Sequence, residues 1–221
     1  MEGRGSAIVV TIDGPAGSGK STLATGLALE LNLPYVNTGL MYRAVTLEAL
    51  RRGVGPDDAE GLVALARTLA FDLDLDLQPP ELRIEGSAPD PALTSEEVEA
   101  AVSRVARHPA LRALMRDEQR RLGAFGAVME GRDIGSVVFP DATLRVLLAA
   151  GPEERAARRA LEREGIQPPE VEAAIASRDE LDARNVPPLH ADLEVDSTHL
   201  DADEVLSLVL REVRERIGGR S

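Results

Sequence analysis

Apolar residues in this chain follow two patterns that alternate along its length: short continuous runs and longer stretches with helical spacing. Residues 7–12 form a β-branched apolar run typical of a buried parallel strand, and Leu23, Leu27 and Leu31 recur at helical spacing within residues 21–31. The same patterns predict strands at residues 35–37, 127–130, 144–149 and 193–196, and helices at residues 38–52, 57–70, 94–107, 109–122, 152–164, 168–182 and 201–217. Strands that alternate with helices predict an α/β fold, with a five-stranded parallel sheet and helices on both faces.

The segment between residues 71 and 84 has a different pattern. Residues 71–77 alternate strictly between apolar residues and aspartates, and the alternation resumes at residues 82–84 after two prolines. This predicts an insert with a small antiparallel sheet that has one face in solvent. Asp72, Asp74 and Asp76 offer the carboxylates of a metal site, but such a strand is expected to be polar at every second position, so we favour a solvated face.

Capping residues mark the starts of several predicted helices. Asp57 is the expected N-cap of the helix over residues 57–70, and Thr94 with Glu97 forms a capping-box pattern at the start of residues 94–107. Pro109 suits the first turn of the next helix, because its missing N–H has no partner there in any case.

Length and composition indicate a globular protein with a single domain over residues 1–221. Hydrophobic residues make up 43% of the chain and charged residues 29%, and no stretch of about 18 consecutive apolar residues is present. The polar residues before the first strand are too few for a signal peptide, so we do not expect export. Cysteine is absent, which excludes disulfides and cysteine nucleophiles. We therefore expect the reducing cytoplasm as the location.

The balance of charge argues against a nucleic-acid-binding protein. The 25 basic residues are outnumbered by 38 acidic ones, the formal net charge is −13, and only 2% of the residues are aromatic. Lys20 is the single lysine, and every other basic residue is an arginine. The residues around Lys20 therefore decide which function the sequence predicts.

Lys20 lies in a phosphate-binding pattern. Residues 14–21 read GPAGSGKS, which fits G-x-x-x-x-G-K-[ST], and they connect the first predicted strand to the first predicted helix. In such a P-loop, glycines expose backbone N–H groups to phosphate oxygens and the helix N-terminus adds the positive end of its dipole. Lys20 is placed to reach the β and γ phosphates of ATP, and Ser21 to ligate Mg²⁺. A glycine-rich turn without a ligand needs neither residue.

Arginines line one face of the helix predicted over residues 152–164. Arg155, Arg158, Arg159 and Arg163 have the spacing i, i+3, i+4 and i+8. They can pair with neighbouring glutamates, or they can close over phosphates as a lid over residues 152–166. The P-loop upstream favours the lid, because a phosphoryl-transfer site must exclude water and stabilise negative charge.

Two further groups of charged residues have more than one interpretation. Residues 130–133, EGRD, follow a predicted buried strand, where an α/β sheet presents its ligands, although a solvated turn has the same pattern. Arg178 and Arg184 flank Asp179 and Asp182 near the end of a predicted helix, and a surface ion-pair cluster explains them equally well.

Four segments together resemble the bacterial cytidylate kinases, which are nucleoside monophosphate kinases. They are residues 12–22 (IDGPAGSGKST), 38–43 (TGLMYR), 131–142 (GRDIGSVVFPDA) and 178–182 (RDELD), and the resemblance extends over nearly the whole chain. The antiparallel insert resembles the extended monophosphate-binding region of this family, over residues 38–107. The resemblance implies a P-loop kinase fold, Mg²⁺ as cofactor, and direct transfer of the ATP γ-phosphoryl group to CMP or dCMP. It also implies a monomer that binds neither nucleic acid nor a membrane.

The resemblance implies a role for each matching position. The ATP phosphates would be bound by Gly14, Pro15, Ala16, Gly17, Ser18, Gly19, Lys20, Ser21 and Thr22, and the metal by Ser21. The CMP phosphate would be held by Thr38, Arg43, Arg132 and Arg184, the cytosine by Ser103, Arg112 and Asp133, and the sugar by Arg178 and Asp182, with Tyr42 also in the acceptor site. The catalytic cations would be Lys20, Arg132, Arg155, Arg158 and Arg159. Glu130 stands where an aspartate is common in the family.

Three other functions remain to be compared with this one. A kinase for another small acceptor, such as a different nucleotide or shikimate, has the same P-loop. GTP-binding switches usually recognise guanine through an N-K-x-D motif. The only lysine here is already in the P-loop, which excludes the usual switch. A nucleotide-binding scaffold without catalysis is disfavoured, because the residues for both donor and acceptor are present.

Overall fold

The fold is built on one sheet, seen in a computed structural model that describes residues 7–161 and 187–219. Within these residues seven strands follow the spatial order β3-β4-β2-β5-β1-β6-β7. Every neighbouring pair is parallel except β3 with β4. The strands are β1 (Val9–Asp13), β2 (Tyr35–Asn37), β3 (Phe71–Asp74), β4 (Glu81–Ile84), β5 (Ala127–Gly131), β6 (Leu144–Ala149) and β7 (Leu193–Asp196).

Helices cover both faces of the sheet, as predicted. Those described are α1 (Lys20–Leu31), α2 (Thr38–Arg52), α3 (Ala59–Ala66), α4 (Glu96–Ala106), α5 (Pro109–Leu122), α6 (Pro152–Leu161) and α7 (Ala202–Gly218). A 3-10 turn, Pro91–Thr94, precedes α4, and a π-type turn, Ile134–Val138, follows β5. Within residues 7–161 and 187–219, no helix is both long and apolar enough to cross a membrane.

The core has one layer on each side of the sheet. In β5, Val128 packs in the layer with α1 and α7, whereas Ala127 and Met129 pack in the layer with α2, α3 and α5. This alternation is the two-residue period of a strand covered on both faces. The central strands β1 and β5 are accordingly buried on both sides: β1 is buried along its whole length, and β5 is buried as far as Glu130.

The sheet is larger than predicted. The five parallel strands β2, β5, β1, β6 and β7 match the predicted sheet, but the antiparallel hairpin of β3 and β4 does not form a separate small sheet. It extends the main sheet to seven strands, because Tyr35 of β2 lies opposite Glu81 of β4 and the Tyr35 N–H donates to the Pro80 carbonyl at 2.8 Å. The prediction missed this pairing because it joins segments far apart in the chain.

Two predicted helix starts are wrong, and in each case another contact accounts for the shift. Asp57 does not cap α3, because its carboxylate pairs with Arg104 of α4 and with Arg107 directly after that helix, and Asp58 accepts the Gly61 N–H at 2.9 Å instead. The hydroxyl of Thr94 donates to the Pro91 carbonyl at 3.0 Å within the 3-10 turn. Ser95 therefore becomes the N-cap of α4 and accepts the Val98 N–H at 3.4 Å.

The three aspartates of the insert do not share one strand face. Strand β3 ends at Asp74, so Asp76 lies in the following turn, where its N–H donates to Asp74 Oδ1 at 3.1 Å. Arg83 of β4 donates to the Asp74 carboxylate, with Nε at 2.9 Å, and this hydrogen bond holds the pKa of Asp74 below its usual value. The carboxylate of Asp74 is therefore already paired with a cation.

Helix α1 offers a test of the packing between the sheet and α7. Leu27 is fully buried, whereas Leu29, two residues further along the same helix, is 46% exposed. We expect Leu27→Ala to lower the free energy of unfolding by about 2–5 kcal/mol, because the removed methyl groups leave a cavity. We expect Leu29→Ala to change it by no more than about 0.5 kcal/mol. Urea unfolding of both variants checks this, and equal losses would contradict the packing described here.

Candidate active site

A cleft of about 340 Å³ lies beyond the carboxyl ends of β1, β2 and β5. Its walls come from the loop after β1, the start of α2, the middle of α4, the start of α5, the segment after β5 and one residue of α6. The predicted site residues that line it are Ala16, Gly17, Gly19, Lys20, Ser21, Thr22, Thr38, Tyr42, Arg43, Ser103, Arg112, Arg132, Asp133 and Arg159. The structure therefore brings most of the predicted site together in one cavity.

Some predicted residues lie elsewhere. Ser18 is fully buried beneath the P-loop, and Gly14 and Pro15 form the back of that loop rather than the cleft wall. Arg155 and Arg158 contact the outer side of the loop. Arg163, Arg178, Asp182 and Arg184, together with the helix predicted over residues 168–182, lie outside the described residues.

The P-loop has a conformation that requires glycine. Gly17 has a φ of 76°, and a Cβ there would lie 2.7 Å from the backbone oxygen of Arg155. Gly19 is the N-cap of α1 in the left-handed conformation, and no side chain caps this helix. The first N–H groups of α1 therefore face the cleft without a side-chain acceptor, which is a favourable site for an anion. Lys20 Nζ lies over the loop and donates to the Pro15 carbonyl at 2.8 Å.

Two arginines on the acceptor side are held by oxygen atoms of the protein. Arg43 is buried, and it donates to the Leu93 carbonyl at 2.9 Å and to Glu99 Oε1 at 2.5 Å. Arg132 donates through Nη1 to the Gly14 carbonyl at 2.5 Å, so it connects the segment after β5 to the P-loop. These contacts fix where the two guanidinium groups lie, because a buried cation needs such partners.

Asp133 is held by two arginines on one face of α5. Nη2 of Arg112 and Nη2 of Arg116 both donate to Asp133 Oδ2, at 2.7 and 2.8 Å. The carboxylate is buried but lines the cleft, and neither hydrogen bond uses Oδ1. An acceptor with a fixed orientation is therefore available to a ligand that offers an N–H donor.

Arg116 was not among the predicted site residues. The signal was its position four residues after Arg112 on a predicted helix, where the two side chains share a face. The pair also lies close to Tyr42, whose pKa burial raises to about 12. The buried side chain of Gln119 acts on this phenol and lowers its pKa, so polar groups lie behind Asp133 within the protein rather than at a solvated surface.

Glu130 at the end of β5 is tied to Tyr35 of β2. The Tyr35 hydroxyl donates to Glu130 Oε1 at 2.5 Å and accepts from Asn37 Nδ2 at 3.3 Å. Burial and the neighbouring carboxylate both raise the pKa of Tyr35. Glu130 therefore lines the cleft as a fixed carboxylate and not as part of a solvated turn.

The donors for a cation in the cleft are few. The Ser21 hydroxyl and the Glu130 carboxylate line the same cavity. In the part of the chain that the structure describes, no three histidine or carboxylate side chains cluster as a metal cage. This donor set fits Mg²⁺, which usually takes one or two protein ligands and completes its shell with phosphate oxygens and water.

The arginines of α6 pack against the P-loop. Arg155 Nη1 donates to the Ala16 carbonyl at 3.3 Å, and Arg158 Nη1 donates to the Ser18 carbonyl at 3.3 Å. Arg159 turns toward the acceptor side, where its Nη2 lies 3.3 Å from Glu99 Oε1. Helix α6 thus spans the space between the two sides of the cleft.

A second cleft, of about 320 Å³, was not predicted from the sequence. It lies on the other side of the P-loop, between α6, the segment after β7 and the start of α7. Thr22, Leu148, Arg158, Ser197 and Leu200 are among its lining residues. It was missed because the P-loop marks only one of its walls, and the other walls come from segments far apart in the chain.

Comparison with known proteins identifies the family. The family model for cytidylate kinase matches residues 10–215. The chain belongs to the cytidylate kinase family. It is 41% identical over 221 residues to a cytidylate kinase from Geobacillus sp. (strain WCH70), which covers 96% of this chain and 98% of that protein.

Other members of the cytidylate kinase family are longer than this chain. It is 43% identical over 225 residues to a bifunctional pantoate ligase/cytidylate kinase from Synechococcus sp. (strain CC9311), covering 95% of this chain but 45% of that protein. The chain thus spans about half the length of such relatives. Among solved structures, an uncharacterized protein from Eubacterium ventriosum has a TM-score of 0.51 at 11% identity, covering 94% of this chain and 98% of that one. That likeness concerns the fold alone.

We expect the stability of this protein to depend on pH, because the carboxylate of Asp13 is buried behind the cleft. Burial raises the pKa of Asp13 to about 6 from 3.8, although backbone N–H groups of Gly135 and Ile134 act to lower it. The native state therefore retains a proton that the unfolded chain releases at lower pH. The stability that this proton contributes is complete below about pH 3.8 and is lost as pH rises through about 6.

Asp13→Asn removes this titration and keeps every other titratable side chain of the protein. We expect the difference in free energy of unfolding, wild type minus variant, to fall by about 2 kcal/mol between pH 4 and pH 7. Urea unfolding of both proteins across this range measures the difference. A constant difference would show that the pKa of Asp13 has its ordinary value, and a difference that rises with pH would show a lowered pKa; either result contradicts the prediction.

Proposed function

We propose that this chain transfers the γ-phosphoryl group of ATP directly to CMP and dCMP. The observation that carries the proposal is the single cleft that contains both the P-loop and the residues matching the acceptor site of the family. A kinase of this kind needs donor and acceptor in one water-excluding cavity, since the phosphoryl group passes between them without a protein-bound intermediate.

On the donor side, the P-loop and the start of α1 bind the phosphates. Residues 14–22 hold the phosphates: their backbone N–H groups, which Pro15 lacks, donate to the phosphate oxygens, and Lys20 neutralises charge on the β and γ phosphates. The second cleft adjoins the loop and offers apolar atoms of Leu148 and Leu200 beside the Arg158 guanidinium, which suits a purine base. Mg²⁺ held near Ser21 would neutralise charge on the transferred phosphate when bound.

On the acceptor side, two cations and a hydroxyl bind the monophosphate. Arg43 and Arg132 flank the cleft, and the hydroxyl of Thr38 lies at the start of α2, where its Oγ1 donates to the Glu130 carbonyl at 2.7 Å. Arg184 is proposed as a further phosphate ligand, and Arg178 and Asp182 as ligands of the sugar, on the family resemblance alone. The catalytic cations that stabilise the charge on the phosphoryl oxygens during transfer are Lys20, Arg132, Arg155, Arg158 and Arg159.

The base is selected by Asp133 with Arg112 and Ser103. Cytosine presents an amine at C4 beside the acceptors N3 and O2, so a carboxylate and a guanidinium complement its edge. Uracil presents an oxygen in place of the amine and would face Asp133 acceptor to acceptor. Arg112 and Arg116 both donate to Oδ2, which leaves Oδ1 for the cytosine amine.

We also propose a single P-loop kinase domain that works as a monomer in the cytoplasm. Residues 38–107 form its monophosphate-binding region and residues 152–166 its lid. The absence of cysteine supports a reducing location. Its place would be in pyrimidine nucleotide metabolism, with small-molecule substrates only.

An acceptor panel tests the proposal directly. Purified protein with ATP and Mg²⁺ is assayed by coupled ADP release against CMP, dCMP, UMP, AMP, GMP and shikimate. We expect the highest kcat/KM for CMP or dCMP. If another acceptor is turned over with a higher kcat/KM, the proposed substrate is wrong. If no acceptor is turned over, the proposed kinase activity is wrong.

The sole lysine tests the donor side. Lys20→Met should lower kcat for CMP by at least about a hundredfold, because it removes the cation that stabilises charge on the transferred phosphoryl group. The free energy of unfolding should change little, since the Lys20 side chain lies over a loop and not in the core. Arg214→Met removes a cation that is 62% exposed on α7 and serves as the control, with unchanged kcat. Normal turnover by Lys20→Met would contradict the proposed role of Lys20 in phosphoryl transfer.

Base selection is tested at Asp133. Asp133→Asn replaces a pure acceptor with a group that can also donate, so discrimination between CMP and UMP should fall by about 1–3 kcal/mol in kcat/KM. Asp117→Asn makes the same change of charge on α5 at a side chain that is 76% exposed, and it should leave the ratio unchanged. If the two variants discriminate equally well, the base is read elsewhere.

A further inference from the structure

The carboxylate of Asp13 joins the two halves of the cleft from behind. Asp13 is the last residue of β1, directly before the first glycine of the P-loop, and it is 1% exposed. Its Oδ1 accepts the N–H of Ile134 at 2.9 Å, and its Oδ2 accepts the N–H of Gly135 at 2.7 Å. Each oxygen therefore has its own backbone donor, and both donors belong to the turn that follows Asp133.

That turn carries the acceptor residues. Arg132 and Asp133 come directly before the π-type turn Ile134–Val138 and line the cleft. The turn lies close against β1, since a Cβ on Gly135 would be 2.7 Å from Thr11 Oγ1. Turns of this type are rare and occur frequently at functional sites. With the bond from Arg132 to the Gly14 carbonyl, three hydrogen bonds connect the acceptor turn to the origin of the P-loop.

Keeping a carboxylate at this position costs free energy, because a buried charge loses its hydration. Burial and, to a smaller extent, Asp133 raise the pKa of Asp13, the two backbone N–H groups and Lys20 lower it, and the net result is a pKa of about 6. At neutral pH the group is ionised and both of its oxygens accept. A neutral asparagine would turn an NH₂ group toward one of the two N–H donors, so only a carboxylate satisfies both.

We propose that Asp13 is a positioning residue that holds the acceptor turn in register with the donor loop. It touches neither substrate. It sets the distance between the P-loop and the Arg132–Asp133 segment, on which in-line transfer depends. Nucleotide phosphates that order the P-loop would then also order the acceptor turn through this carboxylate. The inference rests on the proposed function and adds a residue to which the family resemblance assigned no role.

Asp13→Asn tests the proposal through kinetic constants measured separately for each substrate. We expect KM for CMP to rise and kcat to fall, each by about tenfold or more, because the acceptor is misplaced relative to the donor. KM for ATP should stay within about twofold, since the P-loop itself is unchanged. The control is Asp58→Ala: Asp58 also accepts a backbone N–H, from Gly61 at 2.9 Å, as the N-cap of α3, and neither residue lines the cleft.

The control separates positioning from mere stabilisation. Asp58→Ala should lower the melting temperature, because it removes a helix cap, and it should leave both KM values and kcat unchanged per folded molecule. If Asp13→Asn behaves in the same way, with a lower melting temperature and normal kinetic constants, the proposal is overturned.

A measurement on the wild-type protein decides the case in which Asp13→Asn does not fold. Hydrogen exchange is followed at the amides of Ile134, Gly135 and Thr143, with and without a non-hydrolysable ATP analogue and with no CMP. The Thr143 N–H serves as the reference, because it donates to the Val9 carbonyl at 2.8 Å at the other end of β1. We expect the analogue to slow exchange at Ile134 and Gly135 beyond any gain at Thr143. Equal gains at all three amides would contradict the connection.

The same experiments distinguish this proposal from the proposed function. If wild-type protein does not phosphorylate CMP, the function is wrong, while the exchange measurement with the ATP analogue still reports on the connection between loop and turn. If wild-type protein phosphorylates CMP and Asp13→Asn does so with unchanged constants, the function stands and the role of Asp13 does not.

Discussion

The parallel pairing of β1 with β5 determines where the cleft lies. Asp13 of β1 lies opposite Gly131 of β5, so the two strands end at the same level and their next residues meet. The P-loop continues from one strand and the Arg132–Asp133 segment from the other. In α/β sheets ligands bind beyond the carboxyl ends of the strands, and here that position collects two sets of chemical groups from distant parts of the chain. Helix α2, which starts directly after β2, adds the third wall.

An acidic protein that binds polyanions must hold its cations where they are needed. The chain has a net charge of −13, yet Arg43, Arg112 and Arg132 all line one cavity. Each of them donates to an oxygen atom of the protein, and the carboxylates of Glu99 and Asp133 are two of the acceptors. These partners replace the hydration that buried guanidinium groups lose. They also hold positive charge in the cleft of a protein whose net charge is negative.

Local patterns predicted the elements well where local forces form them. The helices over residues 38–52 and 109–122 and the strands over 144–149 and 193–196 have the predicted bounds, since periodicity and a first-turn proline act within one segment. Predictions failed where a distant partner competes. Asp57 pairs with α4 instead of capping α3, and β4 joins β2 instead of forming a separate sheet. The second cleft and Arg116 were missed because they have meaning only once the helices are packed.

The sheet has two outer strands in the part of the chain that the structure describes, β3 and β7. Such strands present unpaired backbone groups to solvent and can recruit a strand from another molecule. Both outer strands here are acidic: Asp72 is exposed on β3, and Glu194 and Asp196 are exposed on β7. Two copies that met edge to edge would bring these carboxylates together, and their repulsion opposes the joining of sheets into a continuous aggregate. The excess of acidic residues that argues against nucleic-acid binding thus also protects the exposed edges of the sheet.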